Sequence, residues 1–205
     1  MAIDHGSSED GLDGTAPRHG FGVLERTVEA CRQVDRQQMR RAVDLLHAVN
    51  ESGGRIYLMG NGGSATTAAH FACDLTRMPY SLPRTWRRFR AAALTDSLGL
   101  LTAWSNDADY TEALALQIKA LLDPVDLVVA ISVSGNSANI VAGLRAARDM
   151  GCARIGLLGV DGGQARELVD VAILVNSPDY GVVETVHLGI AHDLAFGAVQ
   201  KSSAA

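Results

Sequence analysis

The sequence contains few cysteines, and their spacing does not suggest a metal site. Its 205 residues include three cysteines, Cys31, Cys73 and Cys152, which are odd in number and widely separated. Because no two of them form a C-x-x-C pair, nothing indicates a thiolate metal centre. We interpret them as reduced thiols of a cytosolic protein. Cys73 precedes Asp74, and a small buried thiol is favoured there over a nucleophile.

Excess positive charge and long apolar segments are also lacking. The formal net charge is −5, which argues against a nucleic-acid-binding surface. No apolar stretch is expected to span a membrane, and the N-terminus has no apolar signal core. Hydrophobic residues make up 47% and charged residues 20%, a globular composition in a chain long enough to bury a sizeable core. We predict a cytoplasmic protein with no membrane or nucleic-acid partner.

The two common nucleotide-binding fingerprints are absent, although a glycine turn occupies a similar place. Residues 55–59 are typical of a buried parallel strand, and residues 64–77 favour a helix with Ser64 as its N-cap. The glycines between them lack the G-x-G-x-x-G order, and no Lys-Ser/Thr pair follows. Such a turn still brings free backbone N–H groups and the positive helix end to one point, where a phosphate can bind. An ordinary tight turn is the alternative.

A second turn of the same kind follows the most apolar strand. Residues 126–131 form a continuous apolar run, as expected when helices cover both faces of a sheet. The run continues into a hydroxyl-rich glycine turn and then an amphipathic helix over residues 138–150. Hydroxyls and backbone N–H groups at a helix start hold a phosphomonoester without a lysine. The three hydroxyls are those of Ser132, Ser134 and Ser137.

The rest of the chain completes an alternation of strands and helices. Residues 1–20 are predicted to be a disordered tail, residues 21–50 one long helix or two joined near Asp35, and the proline-containing residues 78–90 a loop. Five strands alternating with helices predict a doubly wound α/β parallel sheet preceded by a long helical segment. Ligands bind such sheets at the carboxyl ends of the strands. The remaining strands are predicted at residues 91–95, 154–158 and 171–175, with short helices up to residue 107, over 110–122 and near 164–168, and a last helix over 184–201.

Histidines and carboxylates on two of these helices form a candidate metal site. His70 and Asp74 are four residues apart and share one helix face. Glu184 and His192 are eight apart, roughly 12 Å along the last helix, which is a wide spread for one site. Two imidazoles and two carboxylates suit Zn²⁺ or a similar divalent ion. His187 projects from another face and is expected to be a core or interface residue.

These residues together resemble a known family. The segments Gly60-Asn-Gly-Gly-Ser64, His70-Phe-Ala72 and Ser132-Val-Ser-Gly-Asn-Ser-Ala-Asn139, with the terminal helix that carries His187 and His192, are similar to the sugar isomerase (SIS) domain family. Within it, the chain is most similar to isomerases of sedoheptulose 7-phosphate. The resemblance covers nearly all of residues 21–200. It implies a flavodoxin-like five-stranded sheet in one SIS domain over residues 21–205, and a homotetramer with active sites at subunit contacts.

The resemblance also implies roles for individual residues. Asp74 matches the catalytic base, His192 matches the acid, and His70, Asp74, Glu184 and His192 match a zinc site. The chain departs from the pattern in three places: Asp74 replaces a longer Glu, Glu184 stands where Gln is frequent, and Val133 replaces a hydroxyl residue. The implied reaction is an aldose-ketose interconversion through an enediol. The candidate substrate-binding residues are Asn61, Gly62, Gly63, Ser64, Arg77, Asp96, Asn106, Asp107, Ser132, Ser134 and Ser137.

Two other functions are compatible with the sequence. The first is a non-catalytic SIS module that binds a sugar phosphate and regulates a partner, since the shorter base and the altered phosphate turn permit it. The second is a scaffold that binds a partner protein through its helices. Exchange of solvent protons into the substrate distinguishes the isomerase from the binding module, because a pure binding module does not catalyse it. A pull-down that retains a partner after the serine turn is destroyed would favour the scaffold.

Overall fold

A five-stranded parallel sheet is the centre of the computed structural model, which describes residues 22–78 and 88–203. The strand order is β2-β1-β3-β4-β5, and every neighbouring pair is parallel. This flavodoxin-like order places its topological switch point between β1 and β3. The predicted doubly wound α/β sheet is confirmed. The strands are β1 (Ile56–Met59), β2 (Ala91–Ala93), β3 (Leu127–Ser132), β4 (Ala153–Gly159) and β5 (Val171–Val175).

Seven α-helices and two 3₁₀ helices connect or flank the strands in the described residues. The tail predicted for residues 1–20 and residues 79–87 of the predicted loop lie outside that part of the chain. The 3₁₀ helices are Leu94–Asp96 and Gly163–Leu168. The α-helices are α1 (Val23–Gln33), α2 (Arg36–Glu51), α3 (Gly63–Arg77), α4 (Leu98–Asp107), α5 (Ala113–Leu121), α6 (Ala138–Asp149) and α7 (Tyr180–Ser203).

The N-terminal helical segment consists of two helices, which was one of the two predicted alternatives. The break falls at Asp35, whose side-chain oxygen accepts hydrogen bonds from the backbone N–H groups of Gln37 at 2.7 Å and Gln38 at 3.2 Å. This is an N-cap, and it satisfies two of the free N–H groups at the start of α2. A capping carboxylate in mid-segment therefore divides the apolar pattern into two elements.

The two faces of the sheet are covered by different helices. On one face, Ile56 and Leu58 of β1 pack in a core formed by α1, α2, α3 and α7. On the other, Tyr57 and Met59 pack against α5 and α6. The alternation of side chains along a strand sends successive residues to opposite faces, so β1 is apolar throughout and β3 is apolar up to Ile131.

Helix α7 has an apolar composition because it is a core helix. Contrary to the sequence-based expectation, residues Tyr180–Lys201 are long and apolar enough to cross a membrane by length and composition alone. In this chain α7 packs against α1, α2 and α3, and side chains along its length, such as Val183, His187 and Leu194, are buried. Its hydrophobicity is explained by burial on several sides.

Some predicted element ends are wrong for local reasons. Ser64 is not the N-cap of α3, because the helix starts at Gly63 and its N-cap is Gly62. Strand β2 ends at Ala93, where the chain turns into a 3₁₀ helix. Helix α5 starts at Ala113 rather than Tyr110, because Asp109 accepts hydrogen bonds from the N–H and hydroxyl of Thr111 and forms a turn there.

Candidate functional site

At two positions, Gly60 and Gly62, the glycine turn after β1 has a backbone that only glycine can adopt. A Cβ at Gly60 would lie 2.5 Å from the carbonyl carbon of Ser64, so a side chain there would collide with the first turn of α3. Gly62 has φ 50° and ψ −122°, outside the regions open to other residues. The turn therefore presents the start of α3 at the carboxyl end of β1, beside the switch point.

The serine turn after β3 is held by its neighbours. Ser132 Oγ accepts a hydrogen bond from Gly135 N–H at 3.1 Å, and Ser134 Oγ accepts one from Asn136 N–H at 3.2 Å. Both hydroxyl hydrogens stay available to a ligand. Gly135 has φ 63°, and a Cβ on it would lie 1.9 Å from the carbonyl oxygen of Gly162. The segment after β4 therefore packs directly under the serine turn.

A cavity of about 200 Å³ lies between the two turns. It confirms that the glycine and serine turns face one another, as their place at strand carboxyl ends predicts. Ser64 and Ser132 are almost fully buried, whereas Ser134 is exposed and Ser137 partly so. The cavity is partly open to solvent and has four serine side chains in its lining, which suits a bound anion with a solvated substituent. Its lining residues are Asn61, Ser64, Ile131, Ser132, Val133, Ser134, Ser137 and Glu184.

Six candidate substrate residues do not line this cavity in the described part of the chain: Gly62 and Gly63, which belong to the glycine turn beside it, and four residues whose side chains lie elsewhere. Arg77 lies exposed at the end of α3, and Asp96 is exposed at the end of a 3₁₀ helix. Asn106 donates a hydrogen bond to Asp107 at 3.0 Å on the exposed end of α4. Their role as substrate ligands stays a prediction.

A second group of polar side chains lies where α3 and α7 pack together. His192 Nδ1 is 2.8 Å from Asp74 Oδ2, and His70 Nε2 is 3.7 Å from the same oxygen. The two imidazole rings meet edge to face with centroids 4.9 Å apart. Asp74 is 5% exposed, whereas about half of the His70 side chain and 40% of the His192 side chain are open to solvent. A buried carboxylate thus lies behind two accessible imidazoles.

These three side chains fit a divalent metal ion. One ligand atom from each of His70, Asp74 and His192 lies within 4.8 Å of the others. Two imidazole nitrogens and one carboxylate oxygen are a donor set that Zn²⁺ accepts, with a further position open to solvent or substrate. The same atoms also form a hydrogen-bonded carboxylate and imidazole pair without an ion. The structure therefore brings together three of the four predicted ligands.

Glu184, the fourth predicted ligand, is not part of that group. Its carboxylate lies over Gly63, where a Cβ would meet both carboxylate oxygens at 2.6 Å, and it lines the cavity between the turns. Glu184 and His192 are eight positions apart, which corresponds to about 12 Å along α7 and explains the separation. Glu184 is thus on the side of the cavity between the turns.

Two further predictions have clear outcomes. His187 is fully buried in the core, as its different helix face predicts, and this burial lowers its pKa to about 4. Cys73 is exposed, so the prediction of a buried thiol is wrong. The cause is the helical period, since its neighbours Ala72 and Asp74 point into the protein.

Sequence reasoning assigned no role to two residues that contact the site. Asn139 and Tyr110 both form hydrogen bonds to the side chain of Asn61. Asn139 lies two residues after Ser137, the last serine of the turn, so its position in the sequence could have indicated that it contacts the site. Tyr110 lies 49 residues from Asn61 in a connection between two helices, and nothing in the local pattern indicates the contact.

Known proteins are similar to this chain in both sequence and fold. A family model described as "SIS domain" matches residues 21–159. A phosphoheptose isomerase of Syntrophotalea carbinolica is 38% identical over 172 residues, covering 84% of this chain and 86% of that protein. A phosphoheptose isomerase of Geobacter sulfurreducens is 44% identical over 142 residues, covering 69% and 74%.

The structural comparison agrees with the sequence comparison. The solved phosphoheptose isomerase of Neisseria gonorrhoeae is 29% identical and superimposes with a TM-score of 0.79, covering 87% of this chain and 95% of that one. The matched family model covers more than half of the chain, including both turns and α3. The chain belongs to the SIS domain family.

Proposed function

We propose that this protein is an aldose-ketose isomerase that converts sedoheptulose 7-phosphate to D-glycero-D-manno-heptose 7-phosphate. The observation that carries the proposal is the 2.8 Å contact between the buried Asp74 carboxylate and the accessible His192 imidazole, on the same helix pair that bounds the cavity. Relatives named phosphoheptose isomerase, at 36–44% identity, support the same reaction.

The phosphate group is held between the two turns. The hydroxyls of Ser64, Ser132, Ser134 and Ser137, with the positive end of α6, provide donors for its oxygens. His70 follows Ser64 by six residues of α3, about 9 Å along the axis. An extended seven-carbon chain has a length of roughly 8 Å. A sugar with its phosphate in the cavity can therefore extend its carbonyl end toward Asp74 and His192.

Proton transfer is then divided between two side chains. Asp74 removes a proton from C1 of the ketose and returns it to C2 of the enediol, which forms the aldose. With Nδ1–H bonded to the Asp74 carboxylate, His192 in its doubly protonated form also carries a proton on Nε2, which it gives to the oxygen on C2; the neutral Nε2 then takes a proton from the oxygen on C1, which restores the starting form. Asp74 is held in place by that hydrogen bond and by its burial in α3.

A divalent ion, Zn²⁺, is part of the proposal. His70, Asp74 and His192 would hold it, whereas Glu184 lies on the cavity between the turns and would not be a ligand. When bound, it would polarise the oxygens on C1 and C2.

The proposed assembly is a homotetramer with active sites at subunit contacts. The side chains of His70 and His192 are partly exposed to solvent, which supports a site that a neighbouring subunit can cover. Apolar side chains that the single chain leaves exposed on α1, α4 and α7 support the assembly, among them Leu24, Leu98 and Phe196. Arg77, Asp96, Asn106 and Asp107 are candidates for contacts with the sugar hydroxyls in that setting.

A deuterium-exchange experiment tests the activity. Purified protein, with and without added zinc, is incubated with sedoheptulose 7-phosphate in deuterated water and followed by NMR. We expect an aldoheptose 7-phosphate that carries solvent deuterium at C2, because the enediol is protonated there. Binding without product or exchange would contradict the isomerase and favour a regulatory sugar-phosphate-binding module.

Replacement of the base is the second test. We expect Asp74→Asn to lower turnover at least about 1,000-fold with folding retained, because the amide cannot take a proton from carbon. Circular dichroism and thermal unfolding check the fold. Turnover within tenfold of the wild-type rate would remove Asp74 from the mechanism.

A further inference from the structure

A reciprocal pair of side-chain amides joins the glycine turn to the serine turn. Asn61 Nδ2 donates to Asn139 Oδ1 at 2.9 Å, and Asn139 Nδ2 donates to Asn61 Oδ1 at 2.8 Å. Asn139 is 3% exposed at the start of α6. The two residues are 78 positions apart in the chain, so the pair fixes the separation of the turns on either side of the cavity.

The orientation of this amide pair is set by the backbone of α6. Two facing carboxamides keep both hydrogen bonds if they rotate together, so the pair alone does not define which atom of Asn61 faces which way. The N–H of Ile140, however, donates to Asn139 Oδ1 at 3.0 Å. The opposite orientation would place the Asn139 amide hydrogens against that N–H. The orientation of the Asn139 carboxamide is thereby fixed, and its two hydrogen bonds fix the orientation of the Asn61 carboxamide.

Tyr110 completes the arrangement from the other side. Its hydroxyl donates to Asn61 Oδ1 at 2.9 Å. That oxygen already accepts from Asn139, so both of its lone pairs are in use. Asn61 Nδ2 uses one hydrogen on Asn139 and keeps one. Because Asn61 lines the cavity, the only hydrogen-bonding capacity its side chain has left for a ligand is as a donor.

We propose that Asn139 and Tyr110 are positioning residues that hold the Asn61 carboxamide as a single hydrogen-bond donor to an oxygen of the bound sugar phosphate. The proposal rests on the proposed function for the identity of the ligand. It assigns to Asn61 the recognition of an acceptor oxygen, and it excludes recognition of a hydroxyl hydrogen by that side chain.

Tyr110→Phe tests the proposal with little change in shape. Without the hydroxyl, Asn61 loses one of the bonds that orient it, and we expect KM for sedoheptulose 7-phosphate and its calorimetric Kd to rise about fivefold, with kcat within twofold. Tyr57→Phe is the matched control, because its hydroxyl bonds to the carbonyl of Leu121 away from the cavity. An unchanged Kd in Tyr110→Phe overturns the proposal, as does an equal rise in both variants.

A double-mutant cycle separates positioning from a general structural effect. Once Asn61→Ala has removed the carboxamide, Asn139→Leu and Tyr110→Phe are expected to raise the Kd by less than twofold further. If the increases in Kd caused by the single substitutions add fully in the double variants, the proposal is overturned. If Asn139→Leu does not fold, the Asn61 and Tyr110 cycle decides alone. Absence of turnover in the wild type contradicts the proposed function, whereas the Kd values from calorimetry test the positioning role in either case.

Discussion

At the residue scale, Glu184 places a carboxylate on a cavity that otherwise offers donors to an anion. It lies over Gly63 and faces the serine turn. Two like charges about 4 Å apart repel each other by about 1 kcal/mol even at the dielectric constant of bulk water, so the Glu184 carboxylate opposes the binding of a phosphate. We therefore expect Glu184→Gln to tighten binding of inorganic phosphate to chelator-treated protein about fivefold, measured by calorimetry.

The matched control for that variant is Glu167→Gln. It makes the same change in net charge at an exposed glutamate of the second 3₁₀ helix. A similar gain in both variants would mean that overall charge, and not the position of Glu184, governs phosphate affinity. Weaker binding in Glu184→Gln would indicate that the carboxylate helps to hold the phosphate through a shared proton.

His187 makes the stability of the chain depend on pH. Burial lowers its pKa to about 4 in the folded protein, whereas a histidine in an unfolded chain has a pKa near 6.5. The unfolded state binds more protons between these values, so stability is complete above about pH 6.5 and falls as the pH falls toward 4. We expect a loss of about 2 kcal/mol between pH 7 and pH 5 from this group.

Urea unfolding at pH 7 and pH 5 measures this effect. His187→Leu keeps the site apolar and removes the titration, so its free energy of unfolding is expected to change less between the two pH values than that of the wild type. The comparison cancels the contributions of all titratable groups that both proteins share. An equal pH dependence in the two proteins would contradict the prediction.

At the element scale, the connection after β4 stores backbone strain beneath the serine turn. Val160 has φ 53°, the left-handed region that β-branched residues avoid, and it is the only residue other than glycine with positive φ in the described ranges. Asparagine tolerates this conformation. Val160 is 43% exposed, so we expect Val160→Asn to raise the free energy of unfolding by about 1 kcal/mol in urea titrations.

A second exposed valine provides the control for this substitution. Val125 is 53% exposed and has no positive φ, so Val125→Asn tests the replacement of valine without relief of strain. We expect little change or a small loss of stability there. Equal gains in both variants would assign the effect to surface polarity and not to the backbone of Val160.

Sequence patterns predicted the elements that a single local signal determines. The strands β1 and β3 are fully buried, so their continuous apolar runs identify them. The alanines of β2 are only partly buried and give a weaker signal, and the strand is shorter than predicted. His70 and Asp74 could be paired from one helical turn. The contacts of Asn61 with Asn139 and Tyr110 depend on how distant turns meet, which no local pattern contains.

At the scale of the whole molecule, α4 is a helix that residues 22–78 and 88–203 leave without a buried side chain. None of its residues is buried, although Leu98 is 69% and Leu100 40% exposed. An apolar helix without a buried face is expected to be covered by another surface. In the proposed homotetramer, a neighbouring subunit would supply that surface.

Substitution of Leu98 by glutamate tests whether α4 is part of a subunit contact. A charge in a covered apolar contact costs more than the same charge in water, so we expect Leu98→Glu to lower the native mass measured by light scattering and to lower isomerase activity, with the thermal midpoint little changed. Val125→Glu, which also adds one charge at an exposed apolar side chain, is the control and is expected to leave the mass unchanged. If Leu98→Glu keeps the native mass of the wild type, α4 lies outside the assembly contact. If the wild type itself is a monomer with full activity, the assignment of the active site to subunit contacts is contradicted.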